Sequence, residues 1–434
     1  LLESAADGLA NESARLPGSI MPSSGSTPAD VPVSQSENVA APASLVTADW
    51  PAIASLTLGV FGLVTAEFLP ASLLTAMSSG LGVSAGSAGQ TVSATALVAA
   101  IAAPALPLLT RRLDRRHVML WLTLLVLVAN LLTATAHGLP SLLISRVILG
   151  VALGGFWSMS GALAMRLAPE RLIARVMSVM LSGVSAATIC AVPIGSWMGV
   201  HVGWRSAFAA AGLISLATVV AQFFTLPALA PRDEQSLRVL CKLLARPRVR
   251  VALLSALLTI TGHFATFTYV RPVMENMAHL SPNLVSAVLF GYGIAALLGN
   301  FIGGRIAERN ERLSILAGAG LMTVLAGCLL FMGSSALVMA TAMVLWGLGF
   351  GTFPVGFQTW IVRAAPDNAE GAGGLLVCAF QIAIAGGALG GGFLIDAVGA
   401  SGILAFAGTF ISLGALLALS QASRGIACRR DERR

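Results

Sequence analysis

Charge is what this chain has least of: Asp, Glu, Lys and Arg make up 10% of its 434 residues, where soluble domains carry about 25%. Apolar residues reach 56%. No water-solvated core could absorb that excess, so lipid must solvate much of the surface. Cysteine is sparse as well. Cys190, Cys241, Cys328, Cys378 and Cys428 show no CxxC spacing, which argues against a metal site or a disulfide framework. There is no P-loop, so ATP is not the evident energy source, and no HExxH or nucleophile elbow to support an enzyme. The alternating ten-residue strands of a membrane barrel are missing too. What remains is an all-α membrane protein.

A bilayer-spanning helix needs about 20 apolar residues, and such segments recur. Ser87 to Thr110, Val176 to Val200 and Ser206 to Pro231 carry no charge, and Leu313 to Val362 is long enough for two spans. Twelve spans are predicted, at roughly 52–79, 88–109, 118–136, 139–165, 174–200, 204–226, 251–276, 283–306, 313–332, 335–362, 371–395 and 401–421. Residues 1–48 are rich in Ser, Ala and Pro, with Arg15 their one base. They lack a basic start and an apolar core, and read as a disordered cytoplasmic tail, not a signal peptide. A six-helix half is expected over 49–226, a cytoplasmic linker without an amphipathic docking helix over 227–250, a second half over 251–421 and a basic tail over 422–434.

The net charge of +7 is topological. Arg111, Arg112, Arg115, Arg116, Arg166, Arg171 and Arg175, the six bases from Arg232 to Arg250, Arg305, Arg309, Arg312 and Arg363 all fall in alternate loops. The opposite loops hold Arg205 and Arg271. By the positive-inside rule both termini lie in the cytoplasm. The basic balance is not a nucleic-acid footprint, although the central loop could meet anionic lipid.

A shift of 197 positions (Arg112 to Arg309) also superposes Gly150 on Gly347, Gly154 on Gly351, Phe156 on Phe353, Arg166 on Arg363, Pro169 on Pro366 and Gly195 on Gly392. Two pseudo-symmetric halves with a site between them at mid-depth are a transporter architecture.

Few ionisable residues lie deep in the spans, where a charge costs at least about 2.5–3.5 kcal/mol. Glu67 sits mid-span in the first, Arg146 early in the fourth and His263 mid-span in the seventh. Desolvation suits Glu67 to bind and release a proton; a protonated Glu bonded to a neighbouring helix is the structural alternative. Arg146 stays charged and needs an acidic or carbonyl partner. Trp157 shares its helical face, about 16 Å deeper, placed either to stack a planar substrate or to pack. His263 begins a face with Phe267, Val270 and Met274, near Tyr269 and Arg271, either an aromatic wall with a titratable group or a buried neutral His. Phe357 and Gln358 offer further aromatic and amide contacts in the tenth span. Pro193, Gly195 and Gly199 in the fifth, with the glycines from Gly386 to Gly392 in the eleventh, offer surfaces on which the halves could meet and slide. The repeat pairs Glu67 with Phe264 and Arg146 with Met343, so proton handling is expected in the first half and an aromatic wall in the second.

These features resemble the major facilitator superfamily, in its bacterial twelve-helix drug/proton antiporter branch, over about residues 50–421. Arg146-Val147-Ile148-Leu149-Gly150 with Gly154 resembles the fourth-helix motif, whose arginine the family implicates in proton coupling. Ala191-Val192-Pro193-Ile194-Gly195 with Gly199 resembles the antiporter motif. In the loop after the second span Arg112, Arg115 and Arg116 fit the family's pattern, while Arg111 stands where its Asp belongs, so Asp114 is the substitute for the usual charge relay. The segments TAEFLPASLLTAMSSGLGVS, GGFWSMSGALAMRLAP and GHFATFTYVRP look most like purine ribonucleoside exporters and sugar-efflux transporters. The resemblance implies a monomeric exporter of small molecules in a bacterial inner membrane, driven by a proton gradient without a cofactor. Sugar or multidrug efflux is the alternative, and a non-transporting sensor a distant one.

Overall fold

The computed structural model describes residues 48–169, 172–230 and 237–431. Twelve of its helices are long and apolar enough to cross a membrane: α1 Trp50–Leu81, α2 Ala85–Leu109, α3 Arg115–Ala134, α4 Leu139–Arg166, α5 Arg175–His201, α6 Trp204–Thr225, α7 Pro247–Thr268, α8 Pro282–Arg309, α9 Glu311–Met332, α10 Ala336–Ala364, α11 Ala369–Ala397 and α12 Ala400–Asp431. All twelve predicted spans are present. The predicted tail falls outside the described residues except for Ala48, as do linker residues 231–236 and the last three of the basic tail. Large apolar side chains such as Phe224, Phe331 and Phe393 stand exposed around the helices, which a bilayer covers without penalty.

The repeat is visible as matching crossings. A Cβ on Gly150 would meet the Thr95 carbonyl, and one on Gly347 the Tyr292 carbonyl; Gly154 and Gly351 likewise face the carbonyls of Ala99 and Ala296. Each partner is displaced by the same 197 positions as its glycine (292 − 95 and 296 − 99). Thus α4 lies on α2 as α10 lies on α8, backbone against backbone. Because a carbonyl oxygen cannot step aside as a side chain can, Gly154→Ala and Gly351→Ala should each cost about 1–3 kcal/mol. A thermal melt of each variant, read against wild type, checks this; unchanged melting would show that the crossings are looser.

Proline shapes three places that matter for the site. Pro193 cannot donate to the carbonyl four residues back, and α5 answers with a π-helical turn at Ala187–Ala191, where Val192 N bonds Ala187 O. That turn meets the other half, where Gly293 of α8 lies against Thr188 and Ile189, and the segment after it does so through Ser196. The expectation that Gly195 and Gly199 form a sliding surface between halves is corrected, since they receive Leu69 and Leu73 of α1 within their own half. Pro272 interrupts the seventh helix in the same way. α7 ends at Thr268, and a short helix, Val270–Ala278, continues beyond Tyr269. The predicted face from His263 to Met274 is therefore broken at Tyr269. Pro70, inside α1, frees the carbonyl of Ala66.

The linker also departs from expectation, for it contains a helix, Leu237–Ala245. Leu243 is buried while Lys242 and Leu244 are exposed, so one edge docks near the starts of α7 and α11. Arg246 then bonds Asp367 through its two terminal guanidinium nitrogens at 2.6 and 2.7 Å.

Candidate functional site

α1 and α7 are the most enclosed spans, with 72% and 78% of their apolar windows buried against 56% or less elsewhere. They hold two of the three ionisable candidates at mid-depth. Glu67 on α1 is part-exposed while its neighbours Ala66 and Phe68 are buried. The next residue, Phe68, meets Phe264 and Phe267 of the opposite half, so the predicted proton carrier lies beside the interface.

Arg146 on α4 is fully buried. Its Nη1 donates to Ala66 O at 3.1 Å, the carbonyl that Pro70 leaves without a helical donor. Its Nη2 donates to Thr133 Oγ1, and its guanidinium lies over the Phe208 ring, 4.8 Å from the centroid. The expected partner is thus a carbonyl, supported by a hydroxyl and a ring face. The guanidinium of α4 thus holds α1 at the residue before Glu67.

His263 is also fully buried. Trp346 Nε1 donates to its Nδ1 at 3.1 Å. An indole nitrogen can only donate, so Nδ1 carries no proton and the imidazole is neutral in this arrangement. The ring stacks on Phe350 at 4.2 Å and on Phe267 at 5.5 Å. Phe267 and Phe350 both lie beside Tyr292, and Phe353 leads from Phe350 to Phe357. The aromatic wall is real and sits in the second half. Phe68, next to Glu67, reaches it across the interface, 5.5 Å from Phe267 and 6.2 Å from Phe264.

The remaining candidates are not brought together. Trp157 is part-exposed on α4 and packs against the core. Phe357 is fully buried behind Phe353, whereas Gln358 is exposed. Tyr269 is occupied structurally: its hydroxyl donates to Ala388 O at 2.8 Å, and its ring fills the space over Gly89 of one half and Gly391 and Gly392 of the other. Sequence reasoning missed Tyr292, Trp346 and Phe350. Phe350 was legible, three residues before Phe353 on the same face.

The polar contacts between halves concentrate at the arginine-poor end. Arg271 donates to Ser72 O and Ser196 Oγ at 3.1 and 3.0 Å and pairs with Glu275 at 2.7 Å. Thr75 donates to Glu275, Ser286 to Ser196 and Ser84 to Asp396, at 2.7, 2.9 and 2.6 Å. The Gly86 amide donates to the other Asp396 oxygen at 3.1 Å. The structure is closed there.

The loop residues serve the first half alone. Asp114 Oδ1 accepts from the amides of Arg116 at 2.8 Å and Leu229 at 3.0 Å, capping α3 and tying it to the chain after α6. Arg115 donates to Thr110 and approaches Met159, Arg116 donates to Phe223 O, and Arg112 is exposed. Burial alone would push the Asp114 carboxyl up, but the Leu229 and Arg116 amides, with the charges of His117 and Arg116, hold it below the usual carboxylate range. A lowered folded value means its contribution is present above the ordinary carboxylate pKa and fades as pH falls through the folded one. Asp114→Ala should therefore cost about 1 kcal/mol near neutrality, and melting curves of the two proteins should converge in acid. A difference independent of pH would show that the carboxylate's charge plays no part.

The sequence profile of the Major Facilitator Superfamily matches residues 56–385 and 253–425. Over 370 residues the chain is 38% identical to the "Purine ribonucleoside efflux pump NepI" of Shigella sonnei (strain Ss046), covering 85% of this chain and 93% of that protein. The same figures hold for the protein of that name in Escherichia coli (strain K12). Among solved structures, a D-xylose-proton symporter superposes with a TM-score of 0.67 at 16% identity, over 85% of this chain and 97% of that one. The human organic anion transporter MFSD10 superposes with a TM-score of 0.62 at 17% identity, over 85% and 99%. Those two likenesses carry the fold alone.

Proposed function

The chain belongs to the major facilitator superfamily, a family of membrane transporters rather than enzymes, and we propose that it exports purine ribonucleosides from a bacterial cytoplasm in exchange for protons. The observation that carries this reading is Glu67: a part-exposed carboxyl at mid-depth, flanked by Phe68, which touches the aromatic wall of the opposite half. A group that titrates between two halves can set which way they close, and flat aromatic faces suit a purine ring. The relatives named for purine ribonucleoside efflux support that cargo over a sugar. The arginine-rich loops favour a topology with that end, and both termini, in the cytoplasm of a bacterial inner membrane. A monomer suffices for this mechanism, since both halves of the site lie in one chain.

The test is uptake of inosine or guanosine into inverted membrane vesicles under an imposed pH gradient. Accumulation that collapses with the gradient is expected. Nucleoside uptake indifferent to the gradient would overturn proton coupling, and transport confined to sugars or drugs would overturn the cargo.

A further inference from the structure

The first half holds a small polar cavity of its own, away from the interface between halves. Gly59 and Gly62 of α1, Thr123 of α3, Phe156 of α4 and Ser215 and Thr218 of α6 line a space of about 10 Å³, and all six are buried. That volume is near the least that holds one water, and it is far too small for a cargo. Gln222 stands at its edge. The side chain is fully buried. Its Oε1 accepts from Thr123 Oγ1 at 2.7 Å, whereas its Nε2 has no partner among the protein's atoms. A Cβ on Gly59 would lie 3.0 Å from that Nε2 and 2.8 Å from Phe156 Cζ. The unspent N–H thus lies where α1 has no side chain.

The wall supplies the other bonds a water needs. Ser215 Oγ donates to Ala211 O and Thr218 Oγ1 to Ile214 O, each at 2.8 Å. A hydroxyl has one proton and two lone pairs. Ser215 uses one lone pair on Asn130 Nδ2 at 3.2 Å, so both hydroxyls can still accept. Ser215, Thr218 and Gln222 stand three and seven positions apart and share one face of α6. We propose that a single buried water occupies this cavity, accepting from Gln222 Nε2 and donating to Ser215 and Thr218, so that α1 meets this face of α6 across a water. Three bonds are the usual complement of a buried water. A divalent cation does not suit the site, since its wall has no carboxylate and it is met by an N–H.

The 197-position offset puts Ala256, Thr259 and Leu419 where Gly59, Gly62 and Gln222 stand. The second half thus has a methyl in place of the notch and an isobutyl group in place of the amide, and the water belongs to the first half alone. Phe353, the counterpart of Phe156, is just as buried and serves as an internal control.

Hydroxyl-radical footprinting by X-ray pulses, on the full chain in nanodiscs and read by peptide mass spectrometry, tests this. The radicals form from water itself, so a buried ring gains oxygen when a bound water lies beside it. Wild type should be modified at Phe156 and not at Phe353. Gln222→Leu, which copies the second half, should lose the modification at Phe156. Phe156 as unreactive as Phe353 in wild type overturns the proposal, and this comparison decides it even if the variant does not fold. Undiminished modification in a folded Gln222→Leu protein overturns the assignment of Gln222 as the water's donor.

Discussion

Glu67→Gln should leave a folded transporter that no longer accumulates nucleoside against a gradient. Glutamine keeps the volume of the side chain, so the packing of the adjacent Phe68 on the aromatic wall survives. The grip of Arg146 on the Ala66 carbonyl involves backbone and is untouched. What disappears is the ability to exchange a proton. Each unit of pH difference supplies about 1.4 kcal/mol per proton carried, enough for about a tenfold concentration ratio of cargo. In the variant that ratio should fall to one, while exchange of labelled for unlabelled inosine with no gradient persists. Uptake into inverted vesicles, normalised to the amount of protein in the membrane, measures both quantities. Gradient-driven accumulation that survives the substitution would remove Glu67 from the coupling step and point to a proton path elsewhere.

The parts of this fold that were legible in the sequence are those set by long-range periodicity. Apolar length gave the spans, and the 197-residue offset gave the two halves down to the paired crossings of Gly150 with Thr95 and Gly347 with Tyr292. Glu67, Arg146 and His263 were legible because a polar group in lipid is expensive. Their partners were not, since these come from other helices. Nothing in the tenth span marked Trp346 as the donor that meets His263. Glycine was misleading for a related reason. Gly195 and Gly199 do mark close packing, but sequence cannot tell which helix approaches, and it is α1 of the same half. Proline was underread. Each internal proline frees one carbonyl, and in this chain two of them, Ala66 and Ala100, are met by Arg146 and Cys378 from neighbouring helices. A proline in such a helix thus predicts a docking point as well as a bend.

Arg271→Met should shift the resting transporter toward the conformation open at the arginine-poor end. Opening that end must separate Arg271 from Ser72 O and Ser196 Oγ and Thr75 from Glu275. The Arg271–Glu275 pair, lying four residues apart in one helix, can travel intact. The closure therefore depends on hydrogen bonds between a buried guanidinium and the opposite half, each worth about 1.5–3 kcal/mol when one partner is charged. Methionine fills the space but makes none of them, and it leaves Glu275 without its cation. That carboxylate is better solvated in the open state, so both changes act in the same direction. A net bias of about 2 kcal/mol corresponds to about a thirtyfold change in the ratio of the two populations. Spin labels at Ser79 and Asn276, exposed residues on α1 and on the short helix beyond α7, report it directly. The distance distribution should gain a longer component in the variant, and Arg271→Lys, which restores the charge without the fork of nitrogens, should fall between. An unchanged distribution in Arg271→Met would mean that apolar packing, chiefly Tyr269 against Gly89 and Gly392, holds this end shut and that the polar cluster only aligns it.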